Sequence, residues 1–143
     1  MASAPTSSTP MARRVLAMGV FDLLHAGHLR YLRHARSRGG QLVVGVATDA
    51  IAWHSKRKRP VVPEEERLEL VRSLRCVDEA WPIPCPTTDA EGACRWIREW
   101  RIHLVVVGAG WRGSERWQTL EPLLRQIGIE VEFVEEWPEV STT

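Results

Sequence analysis

The sequence predicts an α/β fold in which a parallel sheet of about five strands is covered by helices on both faces. Two observations carry this. Short, continuous apolar runs recur at residues 15–18 (VLAM), 42–47 (LVVGVA) and 104–107 (LVVV), the pattern of strands buried on both faces rather than the alternation of a half-exposed sheet. Amphipathic helical stretches separate them, and right-handed crossovers place such helices on the two faces of a parallel sheet.

In chain order, MASAPTSSTP is small, polar and proline-containing, too poor in apolar surface to offset the entropy of ordering. Residues 1–12 therefore read as a disordered leader and residues 13–143 as one domain. Val15 to Met18 is the first strand. Gly27 to Ser37 is a helix with Leu29, Leu32 and Ala35 inward, ended by Gly39-Gly40. After the strand at 42–47, Thr48 to Val62 reads as a polar loop holding His54, Lys56, Arg57, Lys58 and Arg59. Pro63 opens a helix whose first turn, Glu64 to Glu66, suits the positive end of the dipole, with Leu70 and Leu74 one turn apart.

A short strand is expected around Val77 to Trp81. Thr88 and Glu91 then have capping-box spacing for a helix with Ala93, Trp96, Ile97 and Trp100 on one face. The strand at 104–107, the turn Gly108-Ala109-Gly110-Trp111, a helix from about Glu115 to Ile127 and a strand at Val131 to Val134 complete the pattern. Ligands of such sheets bind beyond the carboxyl ends of the strands, where the strand order reverses. The turns after the first and fourth strands meet there.

Composition narrows the function classes. Charged residues make up 26% of the chain at a net charge of +1, which excludes the broad basic field of a non-specific nucleic-acid binder. Three cysteines, Cys76, Cys85 and Cys94, lack C-x-x-C spacing, so neither a disulfide framework nor a structural zinc site is expected. No apolar run approaches the roughly 20 residues of a membrane-spanning helix, and a cytoplasmic protein without a membrane partner is expected.

The chemistry concentrates at His25-Ala26-Gly27-His28. At a helix N-terminus, unpaired N–H groups and the dipole favour an anion such as phosphate. His25 and His28 share a helical face, and Gly27 lets a phosphate approach the backbone. Two imidazoles donating to one phosphoryl group would stabilise the charge that develops during its transfer. Read on its own, the basic loop is a solvated charge run, and a loop of that kind can also close over phosphates and exclude water. Asp22 reads ordinarily as a helix cap, and His34, His54 and His103 as surface or packing residues.

The stretch Gly19-Val20-Phe21-Asp22-Leu23-Leu24-His25-Ala26-Gly27-His28 closely resembles the signature of the HxGH nucleotidyltransferase superfamily, in particular its glycerol-3-phosphate cytidylyltransferase type. The likeness continues through Ala47-Thr48-Asp49, Glu66-Arg67, Arg75-Cys76-Val77-Asp78-Glu79 and Val140-Ser141-Thr142-Thr143. It implies a Rossmann-like doubly wound fold and attack by an acceptor phosphate on the α-phosphate of CTP, with release of pyrophosphate. The implied partners are CTP and a small phosphorylated or phosphonate acceptor, with Mg2+ or another divalent cation carried mainly on the CTP phosphates, in a homodimer.

By position, the resemblance implies that His25, His28, Lys56 and Lys58 act on the transferring group. Gly19, Val20, Phe21, Gly27, Arg75, Gly108, Gly110, Trp111, Ser141 and Thr142 would hold the nucleotide. Asp22, Lys56 and Arg67 would meet the acceptor, and no protein metal ligand is implied. Three departures stand out. Gly110 replaces the aspartate of a G-x-D-W turn, Glu136 stands where relatives are often basic or aromatic, and the chain stops at Thr143, where relatives begin a helix. The reaction centre is retained, but base and acceptor stay open. Glycerol 3-phosphate is the default acceptor and a phosphonate an option. The alternatives are an adenylyltransferase using ATP with a sugar phosphate or riboflavin phosphate, and a nucleotide-binding protein of weakened catalysis.

Overall fold

The computed structural model describes residues 12–108 and 110–135. Nearly all of the expected leader, Ala109, Glu136, Ser141 and Thr142 lie outside the described residues.

Five parallel strands form one sheet: β1 (Arg14–Gly19), β2 (Gln41–Val46), β3 (Glu79–Pro82), β4 (Leu104–Val107) and β5 (Glu130–Phe133), in the order β3-β2-β1-β4-β5. The helices are α1 (Ala26–Arg36), α2 (Asp49–Lys56), α3 (Glu64–Arg72), α4 (Ala90–Glu99) and α5 (Glu115–Gln126). The strands are buried on both faces, as their unbroken apolar runs require. Val15, Ala17, Leu42, Val44 and Val106 point toward Leu32 and Ala35 of α1 and Val71 of α3. Leu16, Val43 and Val105 point the other way, into Ala93, Trp96 and Ile97 of α4 and Trp117, Leu120 and Leu124 of α5. The doubly wound architecture expected from the sequence is the one observed.

Four local expectations are corrected. Residues 49–56, expected within a loop, form α2: Thr48 Oγ1 accepts from Ile51 N–H to start it, and Arg57, in the left-handed region at φ 56°, ends it. Helix α4 is capped by Asp89, whose side chain accepts from Gly92 N–H, one residue beyond the Thr88 box. Arg67 and Val71 are the buried residues of α3, whereas Leu70 lies 48% exposed. The cap of α1 is His25, not Asp22.

The order reverses between β1 and β4. Their pairing runs from Val15–Leu104 to Ala17–Val106, and beyond it Tyr31 of α1 enters between them. Its hydroxyl donates to Val106 O (2.7 Å) and accepts from Met18 N–H (3.0 Å), so the strands part without leaving buried backbone groups unpaired. Desolvation raises the Tyr31 pKa, which keeps the hydroxyl protonated as this donor.

Ile97 is wholly buried among residues from α5 and the sheet. Ile97→Ala is expected to lower the unfolding free energy by about 2–5 kcal/mol through lost contacts and a residual cavity, measurable by urea denaturation. A loss well under 1 kcal/mol would contradict this packing.

Candidate active site

Beyond the carboxyl ends of the strands lies a cleft of two adjoining compartments. Met18, Gly19, Val20, Tyr31, Ala52 and Lys56 line both. The first is polar and adds Phe21, Asp22, His25, His28, Lys58, Arg59 and Pro60. The second is mostly apolar, walled by Ile51, Ile83, Val107 and Trp117, with Ser55, Thr87, Gly108, Trp111 and Arg116 at its polar margin.

The histidines begin α1 by capping it reciprocally. Gly27 N–H donates to His25 Nδ1 (3.0 Å), and His25 N–H donates to His28 Nδ1 (3.2 Å). Each imidazole thus accepts at Nδ1, so in the neutral ring the proton sits on Nε2. The rings lie 4.0 Å apart between centroids, and Phe21 supports His28 edge-on at 5.5 Å. Gly27 is expected to let a phosphate approach the backbone, but its own N–H is taken by His25; the imidazole Nε2–H groups are free of these caps and can donate to a ligand.

Burial pushes the His28 pKa down to about 4, aided by His25 and Lys56 and opposed by Asp22. His28 is therefore a neutral donor at physiological pH. Asp22 does not cap the helix. Its two oxygens accept from Val61 N–H and Val62 N–H, both at 2.9 Å, tying the segment after α2 to the histidine turn. Burial raises the Asp22 pKa, but those hydrogen bonds and the charges of Arg67 and His28 outweigh it and hold the carboxyl below its usual range.

Arg67, expected to meet the acceptor, is wholly buried and its donors are taken by the protein. Nε donates to Val62 O (2.8 Å), Nη1 to Val20 O (2.7 Å) and Ala47 O (2.8 Å), and Nη2 to Asp49 Oδ1 (2.6 Å). It joins the turns after β1 and β2 to the segment before α3. Arg75, expected to bind the nucleotide, follows the end of α3 and precedes β3. It is exposed at the end where the strands begin, opposite the histidines of the same chain.

Lys56 and Lys58 both line the polar compartment with the histidines; Lys56 stands at the wall shared with its neighbour. At Gly19 a Cβ would lie 3.0 Å from the Phe21 ring, a tight contact to which the ring would have to yield. Gly108 opens onto the apolar compartment, with nothing within 4 Å of where its Cβ would be. Gly110 does not line the compartment that holds Trp111; it adopts a φ of +99°, a conformation glycine takes up at low cost and an aspartate would not. Phe21 (φ 56°) and Leu23 (φ 52°) also occupy the left-handed region. Sequence reasoning missed Tyr31, Arg116 and the role of Arg67. The most distant partners of Arg67, Arg116 and Tyr31 lie 47, 61 and 75 positions away, beyond the reach of local spacing.

A doubly wound sheet that opens at its switch point onto paired imidazoles and lysines defines an HxGH nucleotidyltransferase. The chain belongs to the cytidylyltransferase-like family, whose model matches residues 16–143. It is 42% identical over 121 residues to a protein named FAD synthase from Thermococcus onnurineus, covering 85% of this chain and 77% of that one. An FAD synthase from Methanocella arvoryzae is 38% identical over 124 residues, covering 87% and 82%. Among solved structures, a lipopolysaccharide core biosynthesis protein from Thermoplasma volcanium superposes with a TM-score of 0.70 at 32% identity, covering 87% of this chain and 96% of that one.

Two outcomes follow from this geometry. An unfolded chain protonates His28 near 6.5 and the folded chain near 4, so between those values the unfolded state holds more protons and stability falls as pH falls. Denaturant midpoints measured from pH 7.5 to pH 4 should show this decline, and His28→Asn should flatten it; an equal slope in the variant would contradict the burial of His28. Arg67→Met leaves three carbonyls and Asp49 without their donor and is expected to cost about 3–5 kcal/mol. Chemical unfolding at pH 7.5 measures that cost, and a change below 1 kcal/mol would argue against the tie.

Proposed function

We propose that the protein is an FAD synthase, transferring the adenylyl group of ATP to the phosphate of FMN. The observation that carries this reading is the 42% identity to an FAD synthase across 85% of the chain. FAD is FMN joined to AMP through a pyrophosphate bond, so its synthesis from FMN needs an adenylyl donor. That favours the adenylyl alternative over the CTP-dependent transfer to glycerol 3-phosphate or a phosphonate. The family match alone is indifferent to the base.

In the proposed reaction an oxygen of the FMN phosphate attacks the α-phosphorus of ATP, the bond from that phosphorus to the bridging oxygen of the β-phosphate breaks, and pyrophosphate leaves. The attacking phosphate is already ionised, so no protein base is needed. What the protein supplies is position and charge. The Nε2–H groups of His25 and His28 are suited to donate to α-phosphoryl oxygens, where negative charge grows in the transition state. Lys56, which lines both compartments, would meet the two phosphates that must join, and Lys58 and Arg59, which line the polar one, would meet the departing pyrophosphate. Among the described residues no three His, Cys, Asp or Glu side chains gather into a metal-holding group, and the oxygens of Asp22 are engaged with backbone. A divalent cation would therefore be held mainly by the ATP phosphates, where it supplies charge neutralisation.

Among the described residues no helix is long and apolar enough to cross a membrane. Incubation with FMN, ATP and magnesium should yield FAD, separated by chromatography, and an equal amount of pyrophosphate. His28→Ala should lower kcat roughly 100- to 1,000-fold while circular dichroism shows a folded protein. Absence of FAD, with pyrophosphate released from CTP and a small phosphate acceptor, would restore the cytidylyl reading.

A further inference from the structure

We propose that Arg116 selects the acceptor, its guanidinium receiving the carbonyl-bearing pyrimidine edge of a flavin ring seated in the apolar compartment. This rests on the FAD synthase reading.

Arg116 is the second residue of α5, half-buried, and borders the apolar compartment. Its Nη1 donates to Thr87 Oγ1 (3.0 Å) and Nη2 to Ser55 Oγ (3.3 Å), and the guanidinium lies 4.6 Å from the centre of the Trp111 ring. Its partners thus come from α2, the segment after β3 and the turn after β4, three separate walls of one compartment. All of them are neutral. Among the described residues no carboxylate forms an ion pair with Arg116.

Local stability does not account for this placement. A cation in the first turn of a helix opposes the positive end of the helix dipole, and burial disfavours the charge, lowering its pKa. Arginine nonetheless remains protonated in proteins. A desolvated guanidinium held in a fixed direction by two hydroxyls and an indole is arranged for a ligand rich in acceptor atoms.

The donor-only chemistry of Arg116 discriminates between the two rings of the proposed reaction. The pyrimidine edge of a flavin presents two carbonyl oxygens flanking one N–H, so acceptors predominate there and the carbonyls suit a guanidinium. The amino edge of adenine sets its donor beside a single ring-nitrogen acceptor, and its N–H would call for an acceptor that Arg116 lacks. The remaining walls, Met18, Ile51, Ile83, Val107 and Trp117, suit a flat aromatic ring, and Lys56 at the shared wall is placed to meet the phosphate of the same FMN molecule. A site built to pair with ligand carbonyls rejects analogues that lack them, because its own donors are then left unsatisfied.

Steady-state kinetics of FAD formation with FMN and ATP varied in turn test this on the wild type, R116Q and R116K. The KM for FMN should rise roughly 10- to 100-fold in R116Q while the KM for ATP moves less than about two-fold. R116K, which keeps the charge and loses the planar fork, should fall between. A rise confined to the KM for ATP would put adenine in the compartment and overturn the proposal, as would unchanged constants. Thermal unfolding separates a folding defect from a binding one: if R116Q does not fold, R116K decides, and wild-type KM for FMN in R116K overturns the proposal. A wild-type protein that makes no FAD overturns the FAD synthase reading and this proposal together, whereas active wild type with insensitive variants overturns this one alone.

Discussion

A single buried guanidinium, that of Arg67, fixes the working end of the molecule. A charge removed from water is tolerated only where hydrogen bonds and an opposite charge surround it, and Arg67 meets that demand with Val20 O, Ala47 O, Val62 O and Asp49. The segments holding these acceptors must therefore converge. Through Val20 the tie holds the histidine turn, through Ala47 and Asp49 the start of the helix bearing Lys56, and through Val62 the end of the segment bearing Lys58 and Arg59. Asp22 adds a second tie between the first and last of these.

Within the cleft, burial holds His28 uncharged, packed against the His25 ring and edge-on to Phe21. The lysines stand exposed at the rim, where solvent supports their charge. A neutral donor can follow a phosphoryl group through a change in charge distribution without a large reorganisation of its surroundings, while exposed cations gather anions from solution. The adjoining apolar compartment has a different character because it lies over the sheet, between β4 and the segment after β3.

The strands, α1, α4, α5 and the location of the cleft were legible in the sequence because each depends on local periodicity or on the turn chemistry of a few neighbours. His25 and His28 were legible for the same reason: spacing puts them on one face, and a helix start explains their chemistry. Helix α2 was not, since only Ala52 of its eight residues is buried and the charges at its end resemble those of a loop. Arg67 and Arg75 were both expected at the ligand, yet one is drawn inward by carbonyls from distant turns and the other lies past the helix end. Thr88 and Asp89 are both competent caps, and only the path of the chain decides between neighbours.

Two of the four non-glycine residues with left-handed backbone among the described residues, Phe21 and Arg57, border the polar compartment or end the helix that serves it. Such conformations cost bulky side chains of order 1–3 kcal/mol each and persist only where surrounding structure over-determines them. The sheet and its two apolar layers thus carry an internal tension whose seat is the catalytic rim. A glycine at Phe21 would relax the torsion but forfeit a buried ring that supports His28, so the strained backbone persists because the packing around it outweighs its cost. Robustness and catalytic geometry in this fold are coupled through the same few torsion angles.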